Sequence, residues 1–400
     1  MQKNKMKIQL ADRLNNFQVY IFDKLDNHKA ELEAEGMEVI DLGIGDPDMD
    51  TPEPIVNKLI ESSKIGANHH YPSYKGTPQY RKSIANWYKR TFNVDLDPDN
   101  EVMLTIGSKL GMGMLPLTLV NPGEIILVPN PGYPAYMPGA YLSGADIHEM
   151  PLLEKNKYLP KLDEIPTDVA KKAKLMILNY PNNPTTALAP VSFWKELVEY
   201  ARTNEIIVAH DIPYSEITYD GYHQESILEV EGSRDCCVEF HSFSKSYNMT
   251  GWRIGFVVGN SEVVQGLGKV RSNVDMGVFH PIQYAAVAAF DDLPDFPKEV
   301  SKIFQKRRDV LVEGFRSLGW KVDPPKATFF MWIKIPEDTP SMEFAENVLQ
   351  ETGVLVTPGV GFGSCGEGYI RVALTVSESV LEEAIDRLRN GGYVYNKNNI

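Results

Sequence analysis

Between residues 100 and 260, short apolar runs recur at intervals: EVMLTI, EIILVP, KLMILNY, EIIVAHD, CVEFHS and RIGFVVG, separated by helix-length stretches of mixed polarity. Short apolar runs without alternation read as strands covered on both faces, and the helices between them as crossovers of a parallel sheet. A large α/β lobe is predicted. Further along, helical apolar spacing runs through Ile303–Leu318, Met342–Thr352 and Ser379–Leu388, with the strand-like TFFMWIKI and YIRVALT among them. That arrangement predicts a smaller α+β lobe. Ahead of the sheet, Asn16–Gly36 has a helical pattern, and VIDLGIGDPDMDTPEP after it is dense in Gly, Asp and Pro. This composition marks an irregular loop, and such loops often line sites.

Composition narrows the function classes. With 400 residues and 43% hydrophobic content the chain can bury more than one core. A net charge of −14 opposes nucleic acid or an anionic membrane as the main partner. The cysteines, Cys236, Cys237 and Cys365, include an adjacent pair poorly suited to a structural bridge and show no zinc spacing, so no metal is expected. The start, MQKNKMKIQLADRL, lacks an apolar signal core, and no run of about eighteen apolar residues occurs. A cytoplasmic protein is expected.

Candidate chemistry gathers at strand ends. In SFSKSYNMTGWRIG, Lys245 follows the strand around Val238–Phe240, with Ser242, Ser244 and Arg253 close in sequence. An amine, hydroxyls and a guanidinium together suit a phosphate, and a desolvated lysine can bond to an aldehyde. Asp211 closes EIIVAHD, at the strand edge where open α/β sheets bind ligands. A carboxylate there either keeps a pyridine nitrogen protonated or caps the next segment. TIGSKLGMGM turns from strand to helix through Gly107, Ser108 and Lys109, whose N–H groups can receive a phosphate. Asn183 lies in NYPNNPTTA, otherwise an ordinary Asn-Pro turn, and Arg371 lies on the strand YIRVALT.

Together these segments resemble the class I aminotransferases of the aspartate aminotransferase fold, over nearly the whole chain. The resemblance implies a fold-type I α/β protein whose mostly parallel seven-stranded sheet is flanked by helices. Residues 51–285 would form the cofactor-binding domain and 286–400 the small domain, with 1–50 joining the small domain and the subunit interface. It implies pyridoxal 5′-phosphate as cofactor, with Lys245 its covalent anchor and the catalytic base. Asp211 would meet the ring nitrogen, Tyr214 and Asn183 the ring hydroxyl, and Tyr133 of NPGYPAY the ring face. Ser108, Lys109, Ser242, Ser244 and Arg253 would hold the phosphate. Arg371 would grip the substrate carboxylate beside the Gly45 backbone, near Asn183. Tyr71 of HHYPSYKGTPQYR would reach the phosphate of a neighbouring subunit, which implies a homodimer with composite sites.

YIFDKLDNHKAELEAEG, IDLGIGDPD, HYPSYKG, GSKLG and GWRIGF look most like the LL-diaminopimelate aminotransferase branch. That likeness makes Tyr20 and Lys109 substrate contacts, 2-oxoglutarate the acceptor and lysine biosynthesis the setting. Tyr74 and Lys75 stand where related enzymes carry a glutamate for the distal ammonium, Met276 where a small polar residue is usual, and Thr186 where the family usually has Gly. Alanine, aspartate and aromatic substrates therefore stay open, as does a carbon–sulfur lyase or decarboxylase. A ligand-sensing regulator on this fold needs a DNA-binding domain, for which the roughly forty residues before DLGIGDPD are too few.

Overall fold

A computed structural model describes residues 8–17, 22–336 and 338–395, so Tyr20 lies outside the described residues. The chain enters through a 3₁₀ turn, Asp12–Asn16, and a helix, Phe22–Ala34. The helix expected from Asn16 thus starts later, because Asn16 closes the preceding turn. The strand β1 (Ile40–Asp41) follows.

The central sheet is built from β2 (Val102–Thr105), β3 (Ile125–Asn130), β4 (Asp146–Pro151), β5 (Ala173–Asn179), β6 (Ile207–Asp211), β7 (Cys237–Ser242) and β8 (Gly255–Gly259). Their spatial order is β2-β8-β7-β6-β5-β3-β4. Each expected run forms a strand. Successive residues feed opposite cores: Leu175 and Ile177 pack with Phe240 and Leu115 on one face, while Met176 and Leu178 pack with Trp194 and Phe256 on the other. Helices cover both faces, which is why these strands show no polar alternation.

Two features depart from the sequence pattern. The run RIGFVVG was expected to be parallel, but β8 runs antiparallel to both β2 and β7. The segment between β7 and β8 is taken up by a one-turn helix, Phe243–Ser246, and a 3₁₀ turn, Thr250–Trp252. It contains no crossover helix, so the chain folds straight back. The other is β4, DIHEMP, which pairs only with β3 and carries exposed polar residues. An edge strand needs no continuous apolar run, so it gave no signal.

The register aligns strand ends. Asn179 sits opposite Asp211, Asp211 opposite Phe240, and Ser242 opposite Gly255. The C-terminal ends of β5, β6 and β7 therefore form one ledge.

A second assembly comprises β9 (Phe330–Lys334), β10 (Val354–Leu355), β11 (Thr357–Pro358) and β12 (Tyr369–Ala373), with β12 between β9 and β11 in an antiparallel sheet. β10 pairs with β1. The helices Phe296–Ser317, Ser341–Thr352 and Glu378–Asn390 realise the amphipathic patterns and pack their apolar faces into a separate core with Phe304, Phe315, Trp320, Phe329 and Leu381. Tyr214, Ile217 and Tyr219 join that core from the segment after β6.

Gly314 shows how tightly these helices meet. A Cβ at that position would lie 2.5 Å from Cγ1 of Ile385. Alanine in a helix interior ordinarily gains about 1 kcal/mol over glycine, whereas overpacking costs about 1–3 kcal/mol. The second effect wins: Gly314→Ala lowers stability by up to about 2 kcal/mol, read as a lower thermal midpoint, and a raised midpoint would exclude this contact.

Candidate active site

The ledge opens into a cavity of about 420 Å³. Asn179, Asp211 and Ser242 come from strand ends, Ser108 and Lys109 from the start of the Gly107–Leu119 helix, and Phe330, Thr357, Phe362 and Arg371 from the second assembly. The loop residues Gly43, Ile44, Gly45 and Asp46 form another wall. The site lies where open α/β sheets place ligands, beyond the carboxyl ends of their strands.

Lys245 is on the one-turn helix after β7, and its Nζ donates to the Gly45 carbonyl at 2.6 Å. The ammonium also stands 5.3 Å from the Phe329 ring centroid. Burial pushes its pKa down to about 8; Asp46 opposes this, and the nearby Arg371 and Arg253 cations reinforce it. Desolvation disfavours the charged amine more than one carboxylate restores it.

Asp211 is the acid counterpart. Burial raises its pKa to about 6, partly offset by the hydroxyls of Tyr136 and Ser108 and by His210. Tyr136 donates to Oδ2 at 2.9 Å, while Oδ1 has no hydrogen-bond partner among the described residues. Near neutral pH this carboxylate is still mostly ionised, and it is short of a donor.

At the end of β7, Ser242 Oγ accepts from the Ser244 amide at 3.2 Å and donates to its hydroxyl at 2.9 Å. Arg253 donates to Ser244 Oγ at 3.4 Å and to the Thr250 carbonyl at 2.8 Å. Gly107 has φ +67°, and a Cβ there would come within 2.4 Å of the Arg253 guanidinium. Glycine is thus needed both for conformation and to let the cation approach the helix start. Arg253 is itself left-handed at φ 53°, and Thr186 adopts φ 60°. The backbone after Pro184 therefore keeps a geometry suited to glycine despite the threonine, a strained arrangement for a β-branched residue.

Arg371 is sandwiched between aromatic rings, 4.1 Å from the Phe330 centroid and 4.7 Å from that of Phe362. It donates to Asn183 Oδ1 at 2.8 Å and to the Gly43 carbonyl at 2.7 Å. Its plane is fixed by both packing and hydrogen bonds. Gly45 faces Phe330, whose Cζ would be 2.5 Å from an added Cβ. An aromatic wall thus excludes a side chain at Gly45.

Lys245, Asp211, Ser108, Lys109, Tyr133, Asn183, Tyr214, Ser242, Ser244, Arg253, Arg371 and Gly45 all line this one cavity. Tyr71 does not: it is 84% exposed on the surface of this chain. Tyr74, Lys75 and Met276 are likewise absent from the lining. Sequence reasoning missed Tyr136, Phe330, Phe362 and Asn179, whose Oδ1 accepts from the Asn183 amide at 2.7 Å. Tyr136 stands within the quoted NPGYPAY, yet nothing linear directs its hydroxyl to Asp211.

A phosphorylated heteroaromatic aldehyde fits these groups. A protonated ring nitrogen would give Asp211 Oδ1 the donor and countercharge it lacks. Ser108, Ser244 and Arg253 suit a phosphate, and the amine with lowered pKa suits an aldehyde carbon. Residues 37–388 match the family model described as aminotransferase class I and II. The chain belongs to that family: it is an aminotransferase, and pyridoxal 5′-phosphate is its cofactor. It is 48% identical over 380 residues to the LL-diaminopimelate aminotransferase of Halothermothrix orenii, covering 95% of this chain and 98% of that one. The enzyme of the same name from Moorella thermoacetica is 47% identical over 382 residues, with 96% and 98% covered. A substrate-bound BacF structure from Bacillus subtilis superposes with a TM-score of 0.92 at 37% identity, covering 96% and 98%.

The lowered pKa has a direct readout. In cofactor-free protein, acylation of Lys245 by an amine-selective reagent rises about tenfold per pH unit up to about pH 8 and levels off above it. Quantitative mass spectrometry measures this, and a rise continuing to pH 10 would show an ordinary lysine.

Proposed function

We propose that this enzyme transfers an amino group between LL-diaminopimelate and 2-oxoglutarate, in lysine biosynthesis. The observation that carries the reading is near-full-length identity of 47–48% to enzymes of that name, combined with a cavity in which amine, ring-nitrogen carboxylate and carboxylate-binding guanidinium converge.

When bound, the cofactor supplies an aldehyde that carries the amino group and a ring that accepts the electron pair left on the substrate α-carbon. Lys245 Nζ anchors it and afterwards takes the α-proton, a task suited to an amine with a pKa near 8. Asp211 holds the ring nitrogen protonated, with Tyr136 fixing the carboxylate. Tyr133 covers the ring, while Tyr214 and Asn183 meet its hydroxyl. Ser108, Lys109, Ser242, Ser244 and Arg253 retain the phosphate. Arg371 grips the α-carboxylate through a two-pronged contact beside Gly45. Lys109 reaches the rest of the substrate.

The cofactor domain comprises residues 51–285, and 1–50 with 286–400 form the small domain. The working unit is a cytoplasmic homodimer in which Tyr71 completes the partner's phosphate site. Exposed Ile65, Tyr71, Val274, Met276 and Phe279 support a buried face in an assembly, since large apolar groups are costly to leave in water. On this reading Tyr74, Lys75 and Met276 affect specificity across the subunit boundary. A cation at 75 disfavours a distal ammonium, which keeps alanine, aspartate and aromatic donors as the alternative.

A donor panel with 2-oxoglutarate, scored by glutamate formation, tests the substrate. LL-diaminopimelate is expected to give a kcat/KM at least about tenfold above alanine, aspartate and phenylalanine, a difference of about 1.4 kcal/mol. Lys245→Ala serves as the inactive control. Parity with alanine would reject the diaminopimelate reading.

A further inference from the structure

Two consecutive buried arginines on the Phe296–Ser317 helix pair with partly exposed aspartates, one on the loop that lines the cavity and one away from it. Arg307 holds Asp48 in a two-pronged contact, 2.7 Å to Oδ1 and 2.8 Å to Oδ2, with its own side chain only 6% exposed. The same guanidinium donates to the Leu374 carbonyl at 3.1 Å. Asp48 lies in the same loop as Gly43 and Gly45, three residues past Gly45, and Leu374 lies three residues beyond Arg371. One cation therefore joins the substrate loop to the strand bearing the substrate arginine.

The loop has little slack between these points. The Gly43 carbonyl accepts from Arg371 at 2.7 Å and from Thr357 at 3.1 Å. The Ile44 carbonyl accepts from Thr375 at 2.8 Å, and the Gly45 carbonyl accepts from Lys245 at 2.6 Å. Asp41 Oδ1 takes the Gly43 amide at 2.9 Å. Three successive carbonyls are thus set against Arg371, Thr375 just past its strand, and Lys245, and Asp48–Arg307 fixes the loop again three residues on. Arg308, the next residue, points elsewhere: it pairs with Asp220 at 2.6 Å and with the Pro325 carbonyl at 3.0 Å, outside the cavity lining.

We infer that Asp48 and Arg307 are positioning residues for substrate-carboxylate binding, fixing the Gly43–Asp48 loop against Arg371 so that its guanidinium is held ready for the carboxylate. The pair acts through the loop on Arg371; neither Asp48 nor Arg307 hydrogen-bonds Lys245, Asp211 or Arg253 directly, and Lys245 meets the loop at the Gly45 carbonyl. The inference rests on the proposed role of Arg371. A planar two-pronged contact is what lysine cannot reproduce, and a neutral amide at 48 keeps the shape while losing the charge.

The test compares Asp48→Asn, Arg307→Lys, Arg308→Lys and Arg371→Lys holoenzymes, measuring KM for glutamate and 2-oxoglutarate, kcat, cofactor absorbance and thermal midpoint. Asp48→Asn and Arg307→Lys are expected to raise both KM values about tenfold, with kcat within about threefold of the parent and with cofactor absorbance unchanged. Arg308→Lys is expected to lower the thermal midpoint and leave KM where it was. Unchanged KM in both Asp48→Asn and Arg307→Lys overturns the inference. An equal KM rise in Arg308→Lys also overturns it, because general softening of the helix would then be the cause. If Arg371→Lys fails to raise KM, the carboxylate reading itself falls, whereas a KM rise there with none at 48 and 307 removes only the positioning pair.

Discussion

Desolvation at the carboxyl edge of the central sheet is the constraint on which the site depends. The cavity removes water from an amine and an acid together, and each responds by moving toward neutrality: Lys245 falls to about 8 and Asp211 rises to about 6. Both then lie close enough to neutral pH to exchange protons readily or to bind a group of complementary charge. The surrounding contacts hold that state in place. Tyr136 satisfies one oxygen of Asp211, the Gly45 carbonyl receives the lysine, and Arg371 and Arg253 keep the amine among cations.

The fold supplies this edge through register and reversal. Parallel pairing of β5, β6 and β7 aligns Asn179, Asp211 and the end of β7. The direct return into antiparallel β8 leaves the Lys245 turn beside the same ledge rather than beneath a crossover helix. Arg371 arrives from another sheet, where Phe330 and Phe362 fix its plane. Lys245 and Asp211 on one side and Arg371 on the other thus belong to separate packing units, which meet through the Gly43–Asp48 loop and the Arg371–Asn183 bond.

That division explains which residues were legible. Lys245, Asp211 and Ser108 sit at strand ends or strand-to-helix turns, and a buried strand announces its end in sequence because the apolar run stops there. Arg371 was readable only as a charge on a strand, with the family likeness giving it a role. Phe330 and Phe362 carried no signal, since aromatics in a strand or turn are equally suited to any core. Tyr136 failed for a different reason: its partner, Asp211, is 75 residues away in sequence. The edge strand β4 escaped because an exposed face needs polar residues, which break the apolar run.

The sequence by itself determined the two-lobed α/β plan, the strands that carry the ledge and the motif likeness that pointed to the cofactor, because these follow from local periodicity and contiguous strings. Only the tertiary structure decided the reversed direction of β8, the aromatic clamp on Arg371, the Tyr136–Asp211 bond and the Arg307–Asp48 ion pair. Each of these depends on groups far apart in the chain coming within a few ångströms, and on water being excluded from between them. Packing fixes such distances, and linear spacing does not encode them.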